Sequence, residues 1–221
     1  MENIKLQTDF PIAYESPDHL MPWGTMRDNS TNPYFIEEVQ EFFKLNYNLD
    51  KIKFMDLGCS GGQLAVDFYK KGNIAVGLEG SDYSVKHQRA NWPEYHNKML
   101  FTCDVSKPYT VSVNDEQYKC NVVTAWEVIE HIHPDSLNMF FTNISNHLEN
   151  NGIFVGSIST NVEIIEGHVL HQSVFSKEEW YEKFSEFLAG TNLVLYHYPF
   201  QNVVRGDWGS FHVLLKKEVD E

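Results

Sequence analysis

The sequence predicts an α/β protein: a seven-stranded, mainly parallel sheet with one antiparallel strand near the C-terminus and helices on both faces. Three observations carry this. Short apolar runs alternate with helical patterns from residue 50 onward, the order that builds parallel βαβ units. The run Lys53-Phe54-Met55 ends in Asp56 and breaks into Gly58-Cys59-Ser60-Gly61-Gly62 before a helical pattern begins. That is the strand, tight loop and helix start with which open α/β sheets hold nucleotide-like ligands. The last two apolar runs are joined by a segment too short for a crossover helix, so they should pair antiparallel.

Taken in order, residues 1–33 read as an irregular N-terminal arm, punctuated by Pro11, Pro17, Pro22 and Pro33, with Trp23 as anchor or lid. Residues 34–221 read as a single domain. Residues 34–46 form a helix, because Phe35, Val39, Phe42, Phe43 and Leu45 recur near the helical period. The first strand spans 50–56 and the first helix 63–71, ended by Gly72. The second strand, 73–79, ends in Glu79, about 20 residues after the glycine loop, where a carboxylate can accept both hydroxyls of a ribose. Residues 81–98 are a polar helical segment broken at Pro93. Strands follow at 99–104, again closing on an acid, Asp104, and at 120–126. A helix at 134–148 has proline in its first turn and an apolar face of Leu137, Phe140, Phe141, Ile144 and Leu148. The fifth strand is 153–158. Ser176 with Glu179 three residues on is a capping box opening the last helix. Strands at 193–198 and 211–216 close the chain.

Composition excludes several classes. An apolar fraction of 42% over 221 residues supports a packed core. Thirty-one acids against 17 bases give a formal charge of −14, which opposes a nucleic-acid partner, since that affinity depends on Lys and Arg releasing counterions. Cys59, Cys103 and Cys120 are odd in number and lack paired spacing, so neither a disulfide framework nor a zinc–thiolate site is expected. No apolar run reaches the ~20 residues that span a bilayer, and the first ten residues carry no signal-peptide core. The expectation is a soluble, cytoplasmic protein without membrane contact. The glycine loop lacks the lysine that a P-loop places on phosphates, which argues against a triphosphate.

With these parts in this order, residues 50–216 resemble the class I S-adenosylmethionine-dependent methyltransferases, a Rossmann-like family. The resemblance implies S-adenosyl-L-methionine as cofactor. It implies that Asp56, Gly58, Cys59, Ser60 and Gly61 cradle the methionine part, that Glu79 binds the ribose, and that Asp104 with Val105 contacts the adenine. Trp126 and Glu127 would face the sulfonium. Glutamate at 79 replaces the more frequent aspartate, and serine stands at 60.

The segment Trp126-Glu127-Val128-Ile129-Glu130-His131 follows the fourth strand, where the transferred methyl should point. In a helical turn Glu127, Glu130 and His131 share one side, a partial shell for a divalent cation. His171 lies on a loop that can reach the same mouth. Together with the run from His171 to Trp180, the pattern is similar to the small-RNA 3′-terminal 2′-O-methyltransferases, and in part to quinone-pathway O-methyltransferases. That resemblance implies Glu127, Glu130, His131 and His171 as ligands of magnesium or manganese. Without a metal, Glu127 stays with the cofactor, Glu130 opens the helix, and His131 and His171 are the general-base candidates. Catalysis is thus assigned to His131, His171 and Glu130.

The acceptor pocket should draw on residues 23–32, 160–175 and 200–208, which offer Tyr34, His168, His171, Gln172, Asn202, Arg205, Asp207 and Trp208. Arg205 could meet a phosphate. A polar and aromatic lining suits a small hydroxylated molecule such as a sugar or sugar nucleotide. The alternatives are a metal-dependent RNA 2′-O-methyltransferase and a non-catalytic cofactor-binding regulator.

Overall fold

A computed structural model describes residues 2–206 and 209–219, so Asp207 and Trp208 lie outside the described residues. The main sheet is built from β2 (Lys53–Leu57), β3 (Ile74–Glu79), β4 (Leu100–Thr102), β7 (Cys120–Trp126), β8 (Leu148–Ser159), β11 (Leu193–Leu195) and β12 (Ser210–Lys217). Their spatial order is β11-β12-β8-β7-β2-β3-β4. Six of the strands run in one direction; β12 is antiparallel to both of its neighbours. The expected sheet is the observed one.

The sheet core is apolar on both faces, as a parallel sheet with helices on each side requires. Phe54 stacks on Phe68 of α4 (Gln63–Lys70), and Phe154 meets Phe140 and Phe141 of α7 (Pro134–His147) edge-on. α8 (Lys177–Phe187) opens on the capping box of Ser176 and Glu179 and buries Trp180, Phe184 and Phe187. α3 (Pro33–Tyr47) starts on an Asn32 cap with proline in its first turn and buries Phe35, Ile36, Val39 and Phe43. Leu45, expected on that face, is exposed.

From β2 the chain runs outward through β3 and β4, then returns to lay β7 on the other side of β2. The carboxyl ends of β2 and β7 therefore flank the switch point of the sheet, the crevice where open α/β folds take ligands.

Three local expectations are corrected. The first is the N-terminal region, which is not wholly irregular. β1 (Ile4–Thr8) pairs antiparallel with β5 (Tyr109–Val113), and β6 (Glu116–Gln117) completes a small second sheet. The alternation Tyr109-Thr110-Val111-Ser112-Val113 marks a strand that the sequence reading passed over. Asn114 and Asp115, both at positive φ, form the tight turn that follows it. Two short helices lie beyond β1, α1 (Pro17–Leu20) and α2 (Trp23–Arg27).

The second correction is residues 81–98, which form two four-residue helices, α5 (Tyr83–Lys86) and α6 (Trp92–Tyr95), not one segment. Gln88 and Ala90 take positive φ between them, and burial of the Trp92 and Tyr95 rings outweighs helix continuity. The third is the segment after β7. The only helical turn there is a 3₁₀ turn at Ile129–His131, and Glu127 sits outside it at φ +54°.

Candidate active site

A cavity of about 930 Å³ opens over the switch point. Of the residues expected to hold the cofactor, Gly58, Ser60, Glu79, Asp104, Val105, Trp126 and Glu127 line it. Asp56 and Cys59 instead line a small neighbouring pocket, which shares Asp28, Gly58, Trp126 and Arg205 with the larger one. Gly61 lines neither, because the arm covers it: a Cβ there would lie 2.1 Å from Asn29 Oδ1.

The loop geometry follows from β2 and β3. Gly58 takes φ +68°, and a Cβ at that position would lie 2.4 Å from Val128. Only glycine fits a left-handed turn that close to its neighbour. The turn leaves the Ser60 amide donating to Glu79 Oε2 at 2.8 Å, while the Ser81 amide donates to Oε1 at 3.0 Å. Burial raises the Glu79 carboxyl, and these two amides oppose the rise. Asp56 is buried outright. Burial lifts it to about 7, against a 2.7 Å hydrogen bond from Thr124. Asp104 accepts from the amide and hydroxyl of Ser106.

The arm reaches over this floor. Thr25 donates to Glu79 Oε1 at 3.3 Å, Ser60 donates its hydroxyl to the Asp28 carbonyl at 2.7 Å, and Asn29 accepts from the Gln63 amide at 3.1 Å. These arm residues were legible only as a polar cluster near Trp23.

Beyond the end of β7 lies the second group. Trp126 stands edge-on to Phe35 of α3. Glu127, in its left-handed conformation, donates its amide to Ser157 and accepts the Ser210 hydroxyl at 2.9 Å. Trp126 Nε1 and Glu127 Oε1 are buried at the cavity wall without a protein partner. A buried donor and a buried acceptor left open in this way are costly unless a ligand satisfies them.

Glu130, His131 and His171 come together, with one ligating atom from each lying within 4.8 Å of the others. Glu127 is not among them. Glu130 is fully buried; its Oε1 accepts the Ser159 amide at 3.1 Å and its Oε2 has no partner. Its own carbonyl takes the amides of Gln172 and Ser173, which fixes the loop bearing His171. The two imidazoles meet edge-on at 4.6 Å. His171 Nδ1 lies 2.6 Å from the Asn161 carbonyl oxygen, and its Nε2 lies 3.5 Å from Glu163. His131 Nδ1 lies 2.9 Å from Asp18 of α1.

Burial raises the Glu130 carboxyl, with His131 pulling it back down. Burial also works against a charged His131, yet Asp18, Glu130 and Glu163 outweigh it and raise that imidazole. Burial and then His131 lower His171. The acids Asp18, Glu130 and Glu163 around His131 thus favour positive charge on it. Two imidazoles, an orphaned carboxylate oxygen and surrounding acids are a donor set suited to a divalent cation of mixed hard and borderline character.

Of the other expected acceptor contacts, His171, Gln172 and Arg205 line the cavity, and Tyr34, His168 and Asn202 do not. Asn202 is bound to Glu38, and Arg205 faces Asp28 at 3.6 Å. Asp18 was not expected at the site, and Glu163 fell within the 160–175 segment expected to line the pocket but was not singled out. Ser16-Pro17 signals a helix start at Asp18, but nothing local ties that acid to His131.

A family profile described as a methyltransferase domain matches residues 28–196. The chain belongs to that methyltransferase family. Among curated proteins, this methyltransferase is 26% identical over 130 residues to a ubiquinone biosynthesis O-methyltransferase of Pelagibacter ubique. The match covers 57% of this chain and 51% of that one. A second such protein, of Rickettsia conorii, is 24% identical over 52% of this chain and 37% of its own length. The match thus spans about half, or less, of the length of these relatives.

Among solved structures, an S-adenosylmethionine-dependent methyltransferase of Clostridium acetobutylicum aligns with a TM-score of 0.55 at 15% identity, covering 91% of this chain and 96% of that one. The magnesium protoporphyrin IX methyltransferase of Synechocystis does so at 12% identity with the same coverage and TM-score. The fold is therefore that of the S-adenosylmethionine-dependent class I methyltransferases. Among the described residues no helix is long and apolar enough to cross a membrane.

Proposed function

We propose that this methyltransferase moves the methyl of S-adenosyl-L-methionine to a hydroxyl of a small polar molecule, with a divalent cation at Glu130, His131 and His171. The observation that carries the acceptor chemistry is the meeting of those three side chains, with His131 and His171 at the cavity wall and Glu130 buried behind them, its Oε2 unpartnered. A further support is the likeness to O-methyltransferases, whose printed names describe methylation at oxygen.

In this reading Glu79 takes the ribose hydroxyls, Asp104 and Val105 flank the adenine, and the loop Gly58 to Gly61, with Asp56 and Cys59 under it, carries the methionine end. Trp126 Nε1 and Glu127 Oε1, the open donor and acceptor at the wall, complete the cofactor's surroundings. Glu127 belongs to this side and not to the cation. Methyl transfer is a displacement at carbon, so the protein contributes chiefly alignment and removal of water. The arm, with Thr25 on Glu79 and Asn29 over Gly61, acts as the lid that removes it.

Glu130, His131 and His171 would hold magnesium or manganese, which when bound acidifies an adjacent hydroxyl. His131 and His171 are also the groups placed to take the acceptor's proton. A sugar or sugar nucleotide is the acceptor class we favour. The formal charge of −14 and the acids Asp18, Asp135 and Glu163 at the cavity disfavour RNA.

The test is a mass-spectrometric screen of hydroxylated small molecules for the gain of one methyl group, run with and without EDTA. The expected result is a methylated product that disappears with chelator and returns with added magnesium or manganese. Turnover unchanged by EDTA would remove the cation, and methylation at nitrogen only would remove the hydroxyl acceptor.

A further inference from the structure

We propose that Asp18, carried by the N-terminal arm, positions His131 in the cation site, so that the site is complete only when the arm is docked. This rests on the cation reading above. Asp18 Oδ2 lies 2.9 Å from His131 Nδ1, and both side chains are largely enclosed. A carboxylate on one ring nitrogen fixes the direction in which an imidazole faces and makes its other nitrogen the better ligand. His171 is treated in the same manner, with Nδ1 on the Asn161 carbonyl and Nε2 left facing Glu163. Each histidine of the cluster thus has an outer oxygen close to one nitrogen, a carbonyl at hydrogen-bond distance for His171 and a charged carboxylate at ion-pair distance for His131. The partner of His131 comes from a different part of the chain.

Several contacts hold Asp18 there. Ser16 caps α1, accepting the Asp18 amide, and Pro17 fills the first helical position. Upstream, the Ala13 amide donates to the Gly80 carbonyl at the end of β3. Downstream, Thr25 and Asn29 hold the arm to Glu79 and to the start of α4. The arm is therefore anchored on the cofactor floor on both sides of Asp18. Docking it delivers a carboxylate to the acceptor chemistry, which couples the two halves of the site.

Manganese binding to the full chain, followed by electron paramagnetic resonance, tests this beside calorimetric titration of S-adenosylhomocysteine. Asp18→Asn is expected to weaken manganese by about 10–100-fold and to leave S-adenosylhomocysteine affinity within about twofold. Asp18→Glu should recover part of the loss, because it restores the carboxylate. An Asp18→Asn protein that binds manganese like the parent overturns the proposal and leaves the cation reading standing. A parent protein that binds S-adenosylhomocysteine but no manganese overturns both. Parallel loss of manganese, S-adenosylhomocysteine and melting temperature in Asp18→Asn would make Asp18 a folding residue and also overturn the proposal.

Discussion

On the glycine-loop side of the cavity, backbone holds side chains: two amides fix Glu79, and the register of β2 against β3 and β7 fixes the loop. On the other side, backbone contacts to Glu130 and His171 are joined by charged side chains from segments distant in sequence. Asp18 faces His131, Glu163 faces His171, and Glu130 keeps one oxygen unpaired. The first half is set by the sheet and the loop between its strands, with the arm laid over it. The second depends on the arm, the 3₁₀ turn and the loop after β8 all being in place. The difference teaches that methyl-donor recognition is a property of the scaffold here, whereas acceptor chemistry is a property of assembled segments.

If that contrast is sound, the largest effect should come from the acceptor half without touching the donor half. His131→Ala is expected to lower kcat by about 10²–10⁴, the range typical of lost acid–base groups, while S-adenosylhomocysteine affinity measured by calorimetry stays within about twofold. A comparable loss of that affinity would show that the two halves are not separable.

A smaller effect tests the donor floor through pH. The Asp56 carboxyl ionises near 3.8 in the unfolded chain and, raised by burial, at about 7 in the fold. The folded state then binds the extra proton between those values. Its stability is full below 3.8 and falls as pH rises through 7, by on the order of 4 kcal/mol. Asp56→Asn removes that dependence. Its Tm without ligand should exceed the parent's at pH 8, with the gap closing toward pH 4. A lower Tm at pH 8 would mean that the fold stabilises the ionised acid.

The smallest expected change is Gly58→Ala, which forces a side chain into a left-handed turn against Val128. It should cost about 1–3 kcal/mol in denaturant unfolding and weaken S-adenosylhomocysteine. Manganese binding should persist if the halves are independent.

The same contrast explains what could be read from the sequence. The seven main strands and the role of the last hairpin were legible because alternation and a short connection are local signals. Gly58, Glu79 and Asp104 were legible as a set because each ends or follows a strand of known order. The Glu127–Glu130–His131 pattern was legible as residue types, but its geometry was not. A helical turn through Glu127 was the natural expectation, and the left-handed residue at the end of β7 broke it. The pairing of Asp18 with His131 and of Glu163 with His171 could not be read, since no periodicity links those residues. Only the docked arm and the short hairpin of β9 (Ile164–Ile165) and β10 (His168–Val169) bring them together.

The second sheet has a consequence for how this chain is made. Ile4 faces Val113 across the β1–β5 ladder, so the strand that leads into the arm has no partner until the middle of the chain has been synthesised. Such long-range closure is slow relative to local pairing. During translation the segment bearing Asp18 emerges before the glycine loop, but the strand at its head has no ladder partner until residues 109–113 appear. A nascent or truncated chain lacking β5 therefore leaves β1, the strand at the head of the arm, without its ladder, and the arm is held only by its contacts at Gly80, Glu79 and Gln63.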